Sequence, residues 1–305
     1  MKSRSWLLLP VIAGLIGAAY QSACQSARPQ PSQQPKAVPQ EELARPQGSP
    51  GAPAGNSTSG MQAPAPESPA GPVRLSYNSC NVEGPYIAIT FDDGPHPTLT
   101  PKLLDILKEK GIKATFFVLG ECVNANPEVL KRAIAEGHEI ANHSWNHEAF
   151  TRRGGSGVAS QVNQANEAIV ALGAKKPVLV RPPGGATNPT INRSLNQEYG
   201  MKVVLWDVDP LDWKNRNSDH VTSEILNNTK PGSIVLAHDI HATTVAAMPA
   251  TIDGLLAKGF KFVTVSELIA MDRPKPAATP AVQPPATPAA KPVSKAAAKR
   301  AAKQQ

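Results

Sequence analysis

The sequence predicts an α/β fold in which a mainly parallel sheet carries helices on its outside. Three observations predict it. Seven strand-like runs, rich in β-branched and aromatic residues, alternate with helical segments between residues 86 and 265. Several helical segments are marked at their ends by capping side chains, prolines and glycines. The apolar spacing inside them also has a period that no strand would produce, as where Val158, Val162, Ala165 and Ile169 share one face.

In chain order the strands are predicted at 86–91, 114–118, 139–141, 178–180, 202–206, 233–237 and 261–265. The helices between them are predicted at 101–110, 127–136, 156–172, 190–199, 218–227 and 245–258. Thr100 before Pro101, Asn126 before Pro127 and Asn188 before Pro189 each place a capping side chain ahead of a proline suited to a first helical turn. Gly111, Gly137, Gly173, Gly200 and Gly259 stand where helices should stop. Periodicity alone does not choose between a closed barrel and an open sheet.

The ends of the 305-residue chain are compositionally foreign to this pattern, which leaves a single domain at 73–272. Residues 1–24 read as an export signal, with Lys2 and Arg4 ahead of an apolar stretch and Gly17-Ala18-Ala19 as a small-residue cleavage site. The apolar stretch is too short to span a bilayer comfortably. Cys24, after Ser22-Ala23, is a candidate for lipidation, although Gln21 stands where a lipid-attachment signal usually has Leu; an ordinary signal peptide is the alternative. Export places the protein in the periplasm, the cell envelope or the extracellular space.

Residues 25–72 are Pro, Gln, Ala, Ser and Gly without periodicity, a composition that reads as a disordered tether. Residues 273–305 read as a disordered Ala/Pro/Lys tail with seven basic residues and no acidic one, which matches the formal +7 of the whole chain. The basicity therefore argues against nucleic-acid binding by the domain. It suits either adhesion to an anionic envelope polymer or simple solubility. In an oxidising compartment Cys80 and Cys122 are a candidate disulfide, with two separate inert thiols as the alternative. No feature of the sequence speaks to oligomeric state.

The chemistry concentrates in Thr90-Phe91-Asp92-Asp93-Gly94-Pro95, which sets two adjacent carboxylates at the end of a strand. Neighbouring strand residues point to opposite faces, so a core strand has no use for Asp-Asp, whereas at a C-terminal tip both can turn into one site. Fifty residues on, His143-Ser144-Trp145-Asn146-His147 offers two imidazoles four apart, a spacing that brings both to one metal if the segment begins a helical turn. One carboxylate and two histidines make an open metal site, and the spare carboxylate becomes a candidate base.

These motifs resemble those of the polysaccharide deacetylase family (NodB-homology domain, carbohydrate esterase family four). The resemblance continues, in order, through Arg181-Pro182-Pro183-Gly184-Gly185, Asp209-Pro210-Leu211-Asp212-Trp213 and Leu236-Ala237-His238, and covers roughly residues 86–268. It implies a distorted (β/α) barrel with about seven parallel strands, in which active residues gather at the C-terminal strand ends.

By this resemblance Asp93, His143 and His147 bind Zn2+, with Co2+ or Ni2+ as substitutes. Asp92 is the base, oriented by Arg181, and His238 is the general acid that protonates a departing amine. Asp209 is expected to raise the His238 pKa. Leu236 would line a pocket for an acetyl methyl, although an inward leucine is ordinarily core, and Trp213 could stack on a sugar ring or be a core aromatic; Trp145 has a weaker claim to the same role. Gly184 stands where the family commonly has Tyr; glycine keeps the backbone N–H that helps bind an oxyanion but loses an aromatic wall. His241, just past the fifth motif, has no assignable role.

The expected activity is removal of N-acetyl groups from N-acetylglucosamine in a cell-wall polysaccharide, peptidoglycan first and chitin or chitooligosaccharides next, with acetylated xylan or an exopolysaccharide behind them. A different class of answer is a wall-binding protein whose catalysis has lapsed. A third is a metal amidohydrolase acting on a small nitrogenous compound.

Overall fold

The computed structural model describes residues 74–273. The export signal, Cys24, the tether and the tail beyond Arg273 lie outside the described residues. Among the described residues no helix is long and apolar enough to cross a membrane.

The strands are β1 (Ser76–Tyr77), β2 (Tyr86–Asp92), β3 (Thr115–Val118), β4 (Glu139–Asn142), β5 (Leu179–Val180), β6 (Lys202–Val204), β7 (Ile234–His238) and β8 (Lys261–Phe262). The helices are α1 (Leu99–Glu109), α2 (Gly120–Ala125), α3 (Pro127–Ala135), α4 (Gly155–Ala171), α5 (Pro189–Tyr199), α6 (Ser218–Asn228), α7 (Ala242–Ala257) and α8 (Val265–Ala270). The strands pair in parallel in the order β1-β6-β5-β4-β3-β2-β7, with β8 joined to the start of β2. The chain beyond β6 then swings across to β7, where Val208 forms a parallel bridge with Val235 and the Leu236 N–H donates to the Val208 carbonyl at 2.9 Å. That crossing closes the sheet into the distorted barrel the family resemblance implies.

Side-chain alternation along β2 makes two cores. Ile87, Ile89 and Phe91 pack outward against Leu103, Leu104 and Leu107 of α1 and Ile252 and Leu255 of α7. Ala88 faces inward with Phe117, Ala141, Leu179, Val204 and Ile234. The same alternation turns Thr90 and Asp92 into the barrel, and the pairing of Asp92 with Phe117 on one side and His238 on the other puts them at its C-terminal mouth.

The opposite end is closed by α8, whose Val265, Leu268 and Ile269 join the inner core. Residues 261–265 read as a strand, but the strand stops at Phe262. Thr264 and Glu267 form a capping box, with the Glu267 carboxylate accepting from the Thr264 N–H at 2.8 Å, so Val265 starts a helix instead. The sequence reading also lacked β1 and α2, which are too short to show a period.

Of the three proposed caps, only Asn188 caps, accepting from the Thr190 and Ile191 N–H groups at 3.0 Å. α1 begins earlier, at Leu99, and the Thr100 hydroxyl donates to Asp239 while accepting from the His96 N–H at 2.7 Å. The Asn126 amide donates to the Pro95 carbonyl at 3.0 Å. Two predicted caps thus hold the turn that follows the paired aspartates. The Cys80–Cys122 pair is not formed: Cys80 is a buried free thiol, its pKa pushed up to about 12 by its burial.

Candidate active site

Asp93 follows the last residue of β2 and takes φ 77°, a left-handed value that aspartate tolerates better than most residues. This twist removes the strand alternation and brings Asp92 and Asp93, 2% and 1% exposed, to the same mouth. The histidine segment is not a helical turn, as the spacing suggested. It is an irregular loop after β4 in which Ser144 and His147 also have positive φ, 77° and 63°. Among the described residues only Leu211 joins them as a fourth non-glycine at positive φ. Backbone strain of this kind collects where function demands a geometry.

Asp93 Oδ1 lies 3.4 Å from His143 Nε2 and 3.6 Å from His147 Nε2, and the three residues present ligand atoms within 4.8 Å of one another. His143 Nδ1 sits 2.7 Å from the Arg181 carbonyl, an arrangement that places the proton on Nδ1 and leaves the Nε2 lone pair directed at Asp93. Both Asp93 oxygens are buried and neither accepts a hydrogen bond. An anionic group so placed wants a cation, and the Asp-His-His donors fit a divalent metal with coordination positions left open.

Charge follows the same logic. Burial opposes ionisation of Asp93, but His147, His143 and His238 around it hold its carboxyl well below the usual range. Burial drives His147 down to about 4, keeping it neutral as a ligand must be. His143 is raised in spite of its burial, because Asp92 and Asp93 both face it.

Asp92 is held differently. Arg181, fully buried, donates from Nη1 to Asp92 Oδ1 at 2.6 Å and to Thr90 Oγ1 at 2.8 Å, and from Nη2 to the Leu205 carbonyl at 3.0 Å. Its guanidinium stacks 4.1 Å above the Phe117 ring. The other Asp92 oxygen stays near the metal ligands, 3.7 Å from His143 Nε2.

Across the mouth, His238 ends β7 with Nε2 3.9 Å from Asp93 Oδ2. Its partner is Asp212 and not the expected Asp209. Asp212 accepts from His238 Nδ1 at 2.7 Å, the His238 backbone N–H at 2.8 Å and Thr244 Oγ1 at 2.7 Å. Asp209 instead closes a local turn, accepting from the Leu211 N–H at 2.8 Å, with Trp206 Nε1 donating to its other oxygen at 3.3 Å. The Asp209-Pro210 pair carried that turn signal in the sequence, since Asp followed by Pro favours turn initiation. Burial lowers the His238 pKa, but the hydrogen bond and charge of Asp212, with Asp93 and Asp92 adding, prevail and raise it to about 9.

Leu236 is buried and faces into the barrel one layer beneath His238, paired with Thr90. Trp213 is 49% exposed beside buried Asp212, so it lies on the rim and is not a core aromatic. Gly184 adopts φ 60° in the turn after Arg181, is exposed, and a Cβ there would meet open space. The Trp145 ring lies over Gly120, where an added Cβ would clash with it. His241 is the N-cap residue of α7, with its ring 5.7 Å from that of His238. Thr90, Thr244 and Asp239 were missed by sequence reasoning. Asp239 is buried against Gly94 and pushed up to about 7 by burial, against the opposing Thr100 hydrogen bond.

A family model described as polysaccharide deacetylase matches residues 80–204. The chain is 42% identical over 182 residues to the peptidoglycan-N-acetylglucosamine deacetylase PgdA of Listeria monocytogenes, covering 60% of this chain and 38% of that relative's length. A peptidoglycan-N-acetylglucosamine deacetylase of Bacillus cereus is 39% identical over 188 residues, covering 60% of this chain and 87% of the relative. The solved structure of the peptidoglycan deacetylase PdaC from Bacillus subtilis superposes with a TM-score of 0.58 at 40% identity, covering 64% of this chain and 92% of that one.

Proposed function

The chain belongs to the polysaccharide deacetylase family, and on that premise we propose that it is an exported, metal-dependent hydrolase removing N-acetyl groups from N-acetylglucosamine residues of peptidoglycan. The observation that supports this most is the division of labour among three buried aspartates: Asp93 bare, Asp92 held by Arg181, and Asp212 spent on His238. Amide hydrolysis needs an electrophilic centre, a base and an acid, and the three environments suit those needs.

Asp93, His143 and His147 would hold the metal, zinc being the default for this donor set. When bound, it polarises the amide carbonyl and lowers the pKa of water. Asp92 takes a proton from the attacking water, and Arg181 fixes the plane of its carboxylate. Leu236 receives the acetyl methyl, the Gly184 N–H faces the developing oxyanion, and Trp213 offers a ring face to the sugar. His238, protonated at neutral pH by virtue of Asp212, delivers its proton to the nitrogen as the C–N bond breaks, so that the products are acetate and a free amine on the glycan.

Export rests on the signal-like residues 1–24, with Cys24 as a candidate anchor, and the basic tail is a candidate contact for an anionic envelope polymer. The first test is acetate release by the purified full chain, metal-free and then zinc-loaded, on peptidoglycan and chitooligosaccharides in parallel. Zinc-dependent release that vanishes in Asp92→Asn is expected, with peptidoglycan the better substrate. No release from either glycan by folded, zinc-bound protein would overturn the assignment in favour of a binding protein.

A further inference from the structure

We propose that Gln161 is a positioning residue for the metal-holding histidine pair, acting through the backbone of the loop that carries them. The inference rests on the metal reading above. The loop from His143 to His147 is bounded by strained conformations at Ser144 and His147 and has no regular secondary structure to define it. A loop of this kind keeps one shape only if its surroundings impose it.

The loop's backbone donors show what imposes it. The His143 N–H donates to the Val118 carbonyl at 3.0 Å, continuing the sheet. The Ser144 N–H donates to Asn142 Oδ1 at 2.7 Å and the His147 N–H to Ser144 Oγ at 3.0 Å, both local bonds. The remaining two donors, at Trp145 and Asn146, converge on a single atom, Gln161 Oε1, at 2.9 and 3.2 Å. Gln161 is 4% exposed and projects from α4, the neighbour of Val162 on a helix that is otherwise packed by Val158, Ala165 and Ile169.

α4 also grips the loop's entrance. The Asn142 amide donates to the Val162 carbonyl at 3.0 Å and to Asn166 Oδ1 at 2.9 Å. One helix therefore fixes the point where β4 ends and the middle of the loop, with one metal-ligating histidine on each side of the Gln161 contact. The residue type is apt. A carboxamide oxygen has two lone pairs and accepts both N–H groups at once. Asn would be a methylene too short, and Met would have the length without the acceptor.

Groups that orient metal ligands without touching the metal typically change metal affinity about 10–100-fold when removed. The test uses the full chain and reads zinc affinity by competition with a chromophoric chelator, the d–d absorption of the Co2+-loaded protein, and the melting temperature of the metal-free form. Gln161→Met is expected to weaken zinc binding about 10–100-fold and to alter the cobalt spectrum, and Gln161→Glu, which retains the acceptor oxygen, to recover most of the affinity. If Gln161→Met does not fold, Gln161→Asn is read against the same expectation. Wild-type zinc affinity and an unchanged cobalt spectrum in a folded Gln161→Met would overturn the proposal, even if its melting temperature fell. A wild-type chain that binds no zinc and releases no acetate would sink the functional reading as well, so the two failures are separable.

Discussion

Asp93 and Asp212 are both buried aspartates at the mouth of one barrel, 1% and 0% exposed, yet their surroundings are opposite. Asp93 accepts no hydrogen bond and has three imidazoles around it within 3.9 Å. Asp212 accepts three hydrogen bonds, two from His238 and one from Thr244, and both of its oxygens are engaged. Asp92 is intermediate, with one oxygen held by Arg181 and the other facing the site. Burial alone thus says little about what a carboxylate does. Its hydrogen-bond partners separate a cation ligand from a group that tunes a neighbouring histidine.

That contrast yields its largest effect in a paired substitution. Asp93→Asn is expected to abolish both metal binding and acetate release, whereas Asp212→Asn should bind metal normally and lose about 10²–10⁴-fold in kcat, the span typical of a general acid. NMR titration of the metal-free protein adds a sharper readout. His238 should titrate near 9 in the wild type and well below that in Asp212→Asn, because the lowering by burial would no longer be opposed by a carboxylate at 2.7 Å. Equal metal loss in both variants would erase the distinction.

Next in size is Arg181→Met. Removing the guanidinium leaves the buried Asp92 Oδ1 without its donor, and breaking such a buried pair costs about 3–5 kcal/mol. Urea unfolding of the metal-free protein should show that loss, and a change below about 1 kcal/mol would mean that water or another group relieves Asp92.

The smallest effect sharpens the contrast from outside the site. His138 has a side chain 1% exposed, accepts from the Ala114 N–H at 3.2 Å and is lowered by burial to about 4. A folded-state pKa below the ordinary 6.5 means that the native state resists protonation. Its contribution is complete above pH 6.5 and is lost as pH falls toward 4, about 2 kcal/mol by pH 5. Unfolding free energies at pH 7 and pH 5 should therefore converge in His138→Asn, which keeps an acceptor but does not titrate. An unchanged acid sensitivity would assign the loss to other histidines.

Much of this was legible along the chain. Asp92-Asp93 at a strand end, the two histidines four apart, and Arg181 and His238 after later strands all reach the same mouth, because parallel strands that share a direction also share an end. The histidine spacing succeeded for a reason other than the one it suggested: a strained loop, and not a helical turn, brings the rings together. The choice of Asp209 failed because both aspartates of that motif fit a linear reading. Only the path of the chain, with a turn closed by Asp209 and Asp212 swung under β7, separates them. Thr100 and Asn126 were equally legible as helix caps, and the packing of α1 and α3 against the turn at Gly94-Pro95 gave their side chains different partners.

The sequence by itself determined the alternation of strands and helices, the placing of Asp92, Asp93 and His238 at strand ends, and the residue types that could hold a divalent cation and move protons. Those features are local, since they depend on side-chain period and on chemistry carried by each residue. Tertiary structure alone decided which aspartate stays bare and which is satisfied, that Gln161 supports a loop fourteen or more residues before it, and that Cys80 has no disulfide. The physical reason is that hydrogen-bond satisfaction is a property of a three-dimensional neighbourhood, and partners such as Arg181 and Thr90, 91 residues apart in the chain, meet only when the barrel closes.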